Sequence, residues 1–344
     1  MNPIAKARLF DCSAAFAHPV TLGVTIALIV VLALSPVVIW ALTRAGYIGP
    51  NLRTELARRY WSWLVIVPLL LVPILLGAFW TIVGIGILSL LCYREYARAT
   101  GLFREKLLSL VLVAGIVGLT LATVDNWYRL FVALTPLTVA ALASVALLTD
   151  RPQGYIQRVG LAVLGFLLFG TAFAHLAWFA NDGNYRPYLI LIILSVEAND
   201  VFAFCCGKLF GRRKLAPHVS PNKTVAGAVG AVMLTTLLVV TVGWLLFPAE
   251  VISTHGVSRL QELRYLTVFG GLISVLGQFG DLMLSAIKRD IGIKDMGVVI
   301  PGHGGLLDRF DSLILVAPAA FHFANYIAGI GVNQPVKIFT GGGS

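Results

Sequence analysis

The chain is expected to fold as an all-α integral membrane protein, a polytopic helical bundle of about ten transmembrane helices with its charged loops at one face. Three observations carry that expectation. Of 344 residues 58% are hydrophobic and only 12% are charged. The apolar residues collect in runs near the ~20 residues that cross a hydrocarbon core of roughly 30 Å. The cations fall in alternate loops between those runs. In lipid a segment must satisfy its own backbone hydrogen bonds, so runs this apolar read as helices.

In order, the spans are expected over residues 20–42, 61–76, 78–92, 107–124, 130–148, 156–179, 188–206, 225–247, 265–287 and 313–332. The first is too long and starts too late to read as a cleaved signal peptide. Residues 61–92 allow either one long tilted helix or a hairpin folded at Gly77. Four cysteines, Cys12, Cys92, Cys205 and Cys206, lack metal-site spacing and read as packing residues. His175 and His322 lie inside spans and read the same way, whereas Trp61, Trp63 and Trp178 sit near span ends and read as interface anchors. Residues 1–150 are read as an N-terminal transmembrane region and 151–340 as a catalytic one. The closing Gly341-Gly342-Gly343-Ser344 reads as a linker left by cloning.

A net charge of +10 raises the question of nucleic acid, but the placement of the cations points elsewhere. Four lie in 44–60, four in 94–106, two in 150–158, five in 208–223 and four in 288–310, which is 19 of the 26. Loops rich in Lys and Arg stay cytoplasmic during insertion. The alternation therefore expects both termini on the far side and favours the hairpin at Gly77, since both loops beside it are basic. A basic cytoplasmic rim also suits anionic headgroups.

Two spans break the apolar rule. "YLILIILSVEANDVFAFCCG" carries Glu197 and Asp200, three apart and so on one helical face, and "GGLISVLGQFGDLMLSAIKRD" carries Asp281 two turns before Lys288. Ionisable groups at membrane depth are costly and mark functional sites by default. An internal ion pair that merely holds helices together is the competing reading. Asp281 precedes a loop containing Asp290, Asp295, Asp308 and Asp311, and carboxylates converging from several segments are what a hard cation such as Mg²⁺ requires.

Two loops add the complementary charge. "GKLFGRRKLAPHVSPNKT", residues 207–224, offers Arg212, Arg213, Lys214 and Lys223 to phosphate oxygens, with hydroxyls from Ser220 and Thr224. Residues 220–223 are expected to start the next helix, whose N-terminus favours anions. The stretch is not a Walker A motif. The second loop has Lys288-Arg289, Lys294-Asp295, His303-Gly304-Gly305 and Asp308-Arg309-x-Asp311. Cations for phosphates, carboxylates for a divalent metal and glycines for close approach together describe phosphoryl or nucleotidyl transfer at a membrane surface.

Residues 285–311, "SAIKRDIGIKDMGVVIPGHGGLLDRFD", resemble the signature of the phosphatidate cytidylyltransferases (CDP-diacylglycerol synthases), with Ser-x-x-Lys-Arg, Lys-Asp, His-Gly-Gly and Asp-Arg-x-Asp in order. The Ser-Pro-x-Lys-Thr of residues 220–224 is similar to the family's other loop. Val225-Ala226-Gly227 and Phe204 depart from the usual family pattern, which marks a divergent branch. The resemblance covers roughly residues 197–312. It implies that CTP and phosphatidate give CDP-diacylglycerol and pyrophosphate, with Mg²⁺ as cofactor and room for a second cation.

In that reading Asp281 and Asp308 hold the metal, and Lys288, Arg289 and Arg309 screen the phosphates. Ser220, Lys223 and Thr224 grip the nucleotide, Gly304 and Gly305 admit it, and His303 orders or binds rather than acting as general base. Asp295 and Asp311 orient Lys294 and Arg309, while Glu197 and Asp200 face the same polar cavity. The expected setting is a bacterial inner membrane with the site toward the cytoplasm, and a homodimer is compatible with it. The alternatives are another lipid phosphate as acceptor (ether or polyprenyl), or a polytopic transporter or binding protein for anionic lipids.

Overall fold

A computed structural model describes residues 9–47, 49–246, 258–297, 305–329, 337 and 339–340. Ten of its helices are long and apolar enough to cross a membrane. They are α1 (Pro19–Arg44), α2 (Pro50–Leu76), α3 (Ala78–Thr100), α4 (Lys106–Val124), α5 (Tyr128–Leu147), α6 (Tyr155–Asn181), α7 (Tyr185–Phe210), α8 (Val225–Leu246), α9 (Arg259–Asp290) and α10 (Leu307–Ala328). The protein is a polytopic all-α membrane protein, and the expected bends have local causes. The chain breaks between α2 and α3 at Gly77, whose φ of +135° disfavours any other residue. The hairpin reading of residues 61–92 therefore holds. Carbonyls left open at the end of α2 need partners: the Tyr185 hydroxyl and Arg186 Nε both donate to the Ile74 carbonyl, at 2.9 and 3.2 Å.

Helix α6 is interrupted by a π turn over Phe166–Thr171. The Ser89 hydroxyl donates to the Phe169 carbonyl at 2.5 Å and satisfies one of the groups the turn displaces. The core runs through α3, α4, α6 and α10, where Tyr96, Leu112, Phe169 and Phe321 are fully buried. Trp178 corrects an expectation. It is fully buried, with its ring 4.6 Å from that of Phe131, because α5 and α10 close over it, whereas Trp61 is 64% exposed as an anchor should be. His175 packs as expected, its Nδ1 2.8 Å from the Thr171 carbonyl, while His322 beside it is exposed.

Two boundaries differ from the sequence reading in ways that matter for the site. The segment before α8 is not a helix start. It forms a hairpin of β1 (Lys214–Ala216) and β2 (Ser220–Thr224), antiparallel, with Lys214 opposite Thr224 and Ala216 opposite Ser220. Residues 220–224 pair with 214–216 instead, and the hairpin leaves α8 to begin at Val225. Helix α10 begins at Leu307 rather than at 313, so Asp308, Arg309 and Asp311 stand on its first turns. Around this end α8 packs along α7 and α9, α9 against α10, and α10 returns to α6.

Candidate active site

Close helix contacts create the site. A Cβ on Gly227 would lie 2.5 Å from the Ala203 carbonyl oxygen, and one on Gly280 would lie 2.6 Å from that of Asp311. Small residues let membrane helices approach closely, so α8 rests on α7, and α9 on α10, at the level of the charged residues. Four segments then deliver charge to one end of the bundle: the second half of α7, the β hairpin, the end of α9 and the start of α10.

Two lysine–carboxylate pairs cross between them. Lys223 of β2 places Nζ 2.5 Å from Oδ2 of Asp281 on α9, with side-chain exposures of 21% and 24%. Oδ1 of Asp281 accepts from the Ser285 hydroxyl at 3.2 Å. Lys288 at the end of α9 places Nζ 2.9 Å from Oδ1 of Asp308 on α10. The other oxygen of Asp308 accepts the amides of Met296 and Gly305, both at 3.0 Å. Arg289 reaches back to the hairpin, its Nε donating to the Val219 carbonyl at 3.4 Å.

Asp311 is buried. Its Oδ1 accepts the Ser312 amide at 2.7 Å, and it lies within electrostatic reach of Asp281, Asp200 and Lys288. Glu197 feels Asp200 and Arg309 in the same way. Arg309 keeps its Nε buried with no hydrogen-bond partner among the described residues. A buried guanidinium N–H without an acceptor is expensive, and this guanidinium lies within electrostatic reach of Glu197 and Asp200 on α7.

The structure thus brings together Glu197, Asp200, Lys223, Asp281, Lys288, Arg289, Asp308, Arg309 and Asp311. It gives some expected residues other tasks. Thr224 is buried and caps α8, its Oγ1 accepting the Gly227 amide at 3.1 Å. Ser220 sits opposite Ala216 in the hairpin, and Asp295 is exposed. Gly305 is buried, but the space in front of it is filled by protein: a Cβ there would lie 2.5 Å from Oε2 of Glu95 and 3.1 Å from Oδ2 of Asp308. His303 and Gly304 lie outside the described residues. Also among the described residues, no three His, Cys, Asp or Glu side chains close into a metal-holding group.

Two features escaped the sequence reading. Glu95, near the end of α3, accepts the amides of Leu306 and Leu307 at 3.0 and 2.8 Å. Its flanking Arg94 and Arg98 make it look like part of a topology-setting loop. Behind the charged end, Asn199 Oδ1 accepts from the hydroxyls of Thr235, at 3.2 Å, and Ser274, and Gln278 Nε2 donates to Ser274 Oγ at 3.3 Å. The spacing of Ser274 and Gln278, four apart in an apolar run, is the signal that marks this network.

A family model described as "Cytidylyltransferase family" matches residues 57–327. An uncharacterised Escherichia coli K12 protein, YnbB, is 38% identical over 207 residues, which is 58% of this chain and 65%, just under two thirds, of that protein. A Bacillus subtilis phosphatidate cytidylyltransferase is 34% identical over 63% of this chain and 80% of its own length. Another from Thermotoga maritima is 30% identical over 57% and 71% respectively. With well over half of its length matched, and with the family's charged segments packed at one end of ten membrane helices, the chain belongs to the cytidylyltransferase family of membrane nucleotidyltransferases.

Proposed function

We propose that the protein makes CDP-diacylglycerol and pyrophosphate from CTP and phosphatidate at the cytoplasmic face of a bacterial inner membrane. The observation that carries this reading is the pair of crossed contacts, Lys223 with Asp281 and Lys288 with Asp308. They tie the Ser-Pro-x-Lys-Thr hairpin to the Asp-Arg-x-Asp helix start, so the two segments that resemble the family act as one surface.

The reaction joins two polyanions. A phosphate oxygen of the lipid attacks the α-phosphorus of CTP, the bond to the α–β bridging oxygen breaks, and pyrophosphate leaves in line. A phosphate monoester, with its second pKa of about 6, is already ionised and needs no base, so positioning and charge neutralisation supply most of the rate. Lys223, Lys288, Arg289 and Arg309 would screen the phosphates, and the Nε of Arg309, without a partner among the described residues, would donate to one of them.

The residues also fit Mg²⁺. Asp281 and Asp308 are hard oxygen donors, each with a lysine ammonium standing where a cation binds. Mg²⁺ keeps few protein ligands and takes the rest from water and phosphates. Bound there, the ion would supply neutralisation of the triphosphate. Asp311, Asp200 and Glu197 would add negative charge beside it and balance the cations between substrates. CTP would enter from water and phosphatidate from the leaflet, both reaching the exposed end of α7–α10.

The test is turnover by purified full-length protein in mixed micelles, with α-labelled CTP, phosphatidate and Mg²⁺, beside the Asp308→Ala variant. Metal-dependent labelled CDP-diacylglycerol that disappears in the variant supports the proposal. CTP binding without product would move the acceptor to another lipid phosphate, a reading that the departures at Phe204 and at residues 225–227 make the next to try. Absence of CTP binding would overturn nucleotidyl transfer.

A further inference from the structure

The first two turns of α10 carry Asp308, Arg309 and Asp311, yet the helix's own N-cap residue, Leu306, supplies no side-chain hydrogen bond. Helix starts leave backbone N–H groups that need acceptors. Here they come from a helix 211 and 212 residues away in sequence. Glu95 of α3 accepts Leu306 N with Oε1 at 3.0 Å and Leu307 N with Oε2 at 2.8 Å. Glu95 is only 7% exposed. A carboxylate so buried is costly unless hydrogen-bonded, and two amides at the positive end of a helix are a setting that retains it. Two glycines make room: a Cβ on Gly297 would lie 2.7 Å from Oε1, and one on Gly305 2.5 Å from Oε2. Asp308 takes the neighbouring amides of Met296 and Gly305. Two carboxylates, one from each half of the chain, therefore hold four amides of the signature segment, those of Met296 and of the consecutive Gly305, Leu306 and Leu307.

We propose that Glu95 is a positioning residue for nucleotidyl transfer. It fixes the start of α10 and through it the placement of Asp308, Arg309 and Asp311, without itself meeting substrate. The proposal rests on the function reading above. Its physical basis is that reacting groups displaced by about 1 Å can lose ~10²-fold in rate. A glutamine at this position keeps the shape but sets an NH₂ group against one of the two amide N–H groups, so one contact turns repulsive.

The test uses the full-length protein in micelles and two readouts. Hydrogen–deuterium exchange of peptides covering residues 305–310 reports the contact itself. Glu95→Gln is expected to speed exchange there about tenfold, the factor that ~1.4 kcal/mol of lost protection produces, with α1 and α5 unchanged. Turnover is expected to show kcat down about tenfold or more with KM for CTP within about twofold, since a displaced catalytic helix is felt in the transition state. Glu95→Asp, which keeps the charge, is expected to recover part of kcat, and it serves in place of the glutamine variant should that one fail to fold.

Unchanged exchange in the variant would overturn the contact. Faster exchange with wild-type kcat would overturn positioning and leave a structural brace. A wild-type protein without turnover would instead sink the function reading, and the exchange arm would still decide whether Glu95 holds α10.

Discussion

Helices α1 and α10 are both long and apolar enough to span a bilayer, but they relate to the rest of the chain in opposite ways. Only 6% of the most apolar stretch of α1 is buried by other parts of the protein, against 50% of that of α10. Ile29 and Val31 of α1 are each 60% exposed, while Ile314, Val316 and Ala317 of α10 are fully buried. Lipid tails are as apolar as these side chains, so burial between membrane helices follows from close packing and polar partners rather than from hydropathy. The comparison separates a helix held by lipid from the one on which the proposed site is built. Apolarity holds α1 in the bilayer, and individual identities matter little. In α10 the first two turns are held by a lysine, a glutamate from α3 and a glycine contact from α9, so single atoms matter.

The comparison breaks if substitutions at the two helices have similar effects. The largest effect is expected from Asp308→Ala. It strands the part-buried ammonium of Lys288 and frees the amides of Met296 and Gly305. Turnover should fall about 10³-fold, the upper range for one lost electrostatic contact, and thermal unfolding in micelles should register about 3–5 kcal/mol for a broken buried pair.

Next comes Gly280→Val, whose Cβ would press on the backbone oxygen of Asp311. Overpacking there should cost about 1–3 kcal/mol in unfolding free energy, with activity lost in parallel. The matched control in α1 is Gly23→Ala. Nothing lies within 4 Å of that position, so it should leave turnover intact and shift stability by about 1 kcal/mol at most, in the favourable direction. Thr224→Ala removes the cap of α8 and should cost about 1 kcal/mol, read as a lower unfolding midpoint. The smallest effect belongs to Val31→Ala, expected within about 0.5 kcal/mol of wild type. A larger loss there would mean that α1 packs against something other than lipid.

Much of the fold is legible in the sequence because lipid leaves few options. Ten apolar runs, cations in alternate loops and a glycine at position 77 lead to ten helices with a break where the structure has it. The hairpin over residues 214–224 is not legible, since Pro217, Pro221 and the two lysines hide any strand alternation and only Thr224 hints at a helix cap. The crossing of α9 on α10 is half legible: Gly277 and Gly280 mark a close approach, but nothing local says that Asp311 lies opposite. Of the site, the carboxylates in spans and the Lys-Arg pair stand out because charge at membrane depth needs a reason. Glu95 does not, since its meaning comes from two amides more than two hundred residues away, and a carboxylate between arginines at a span end looks like ordinary loop charge.

The central claim is that the β2 hairpin and the end of α9 form one catalytic surface through Lys223 and Asp281. A double-mutant cycle on turnover tests it most directly, with Lys223→Met, Asp281→Asn and the double variant assayed on α-labelled CTP and phosphatidate. Residues that act as a unit are non-additive. Each single variant should lose about 10²-fold or more, and the double should be little worse than the weaker single. Losses that multiply in the double variant would contradict the claim and show that the two residues serve separate steps.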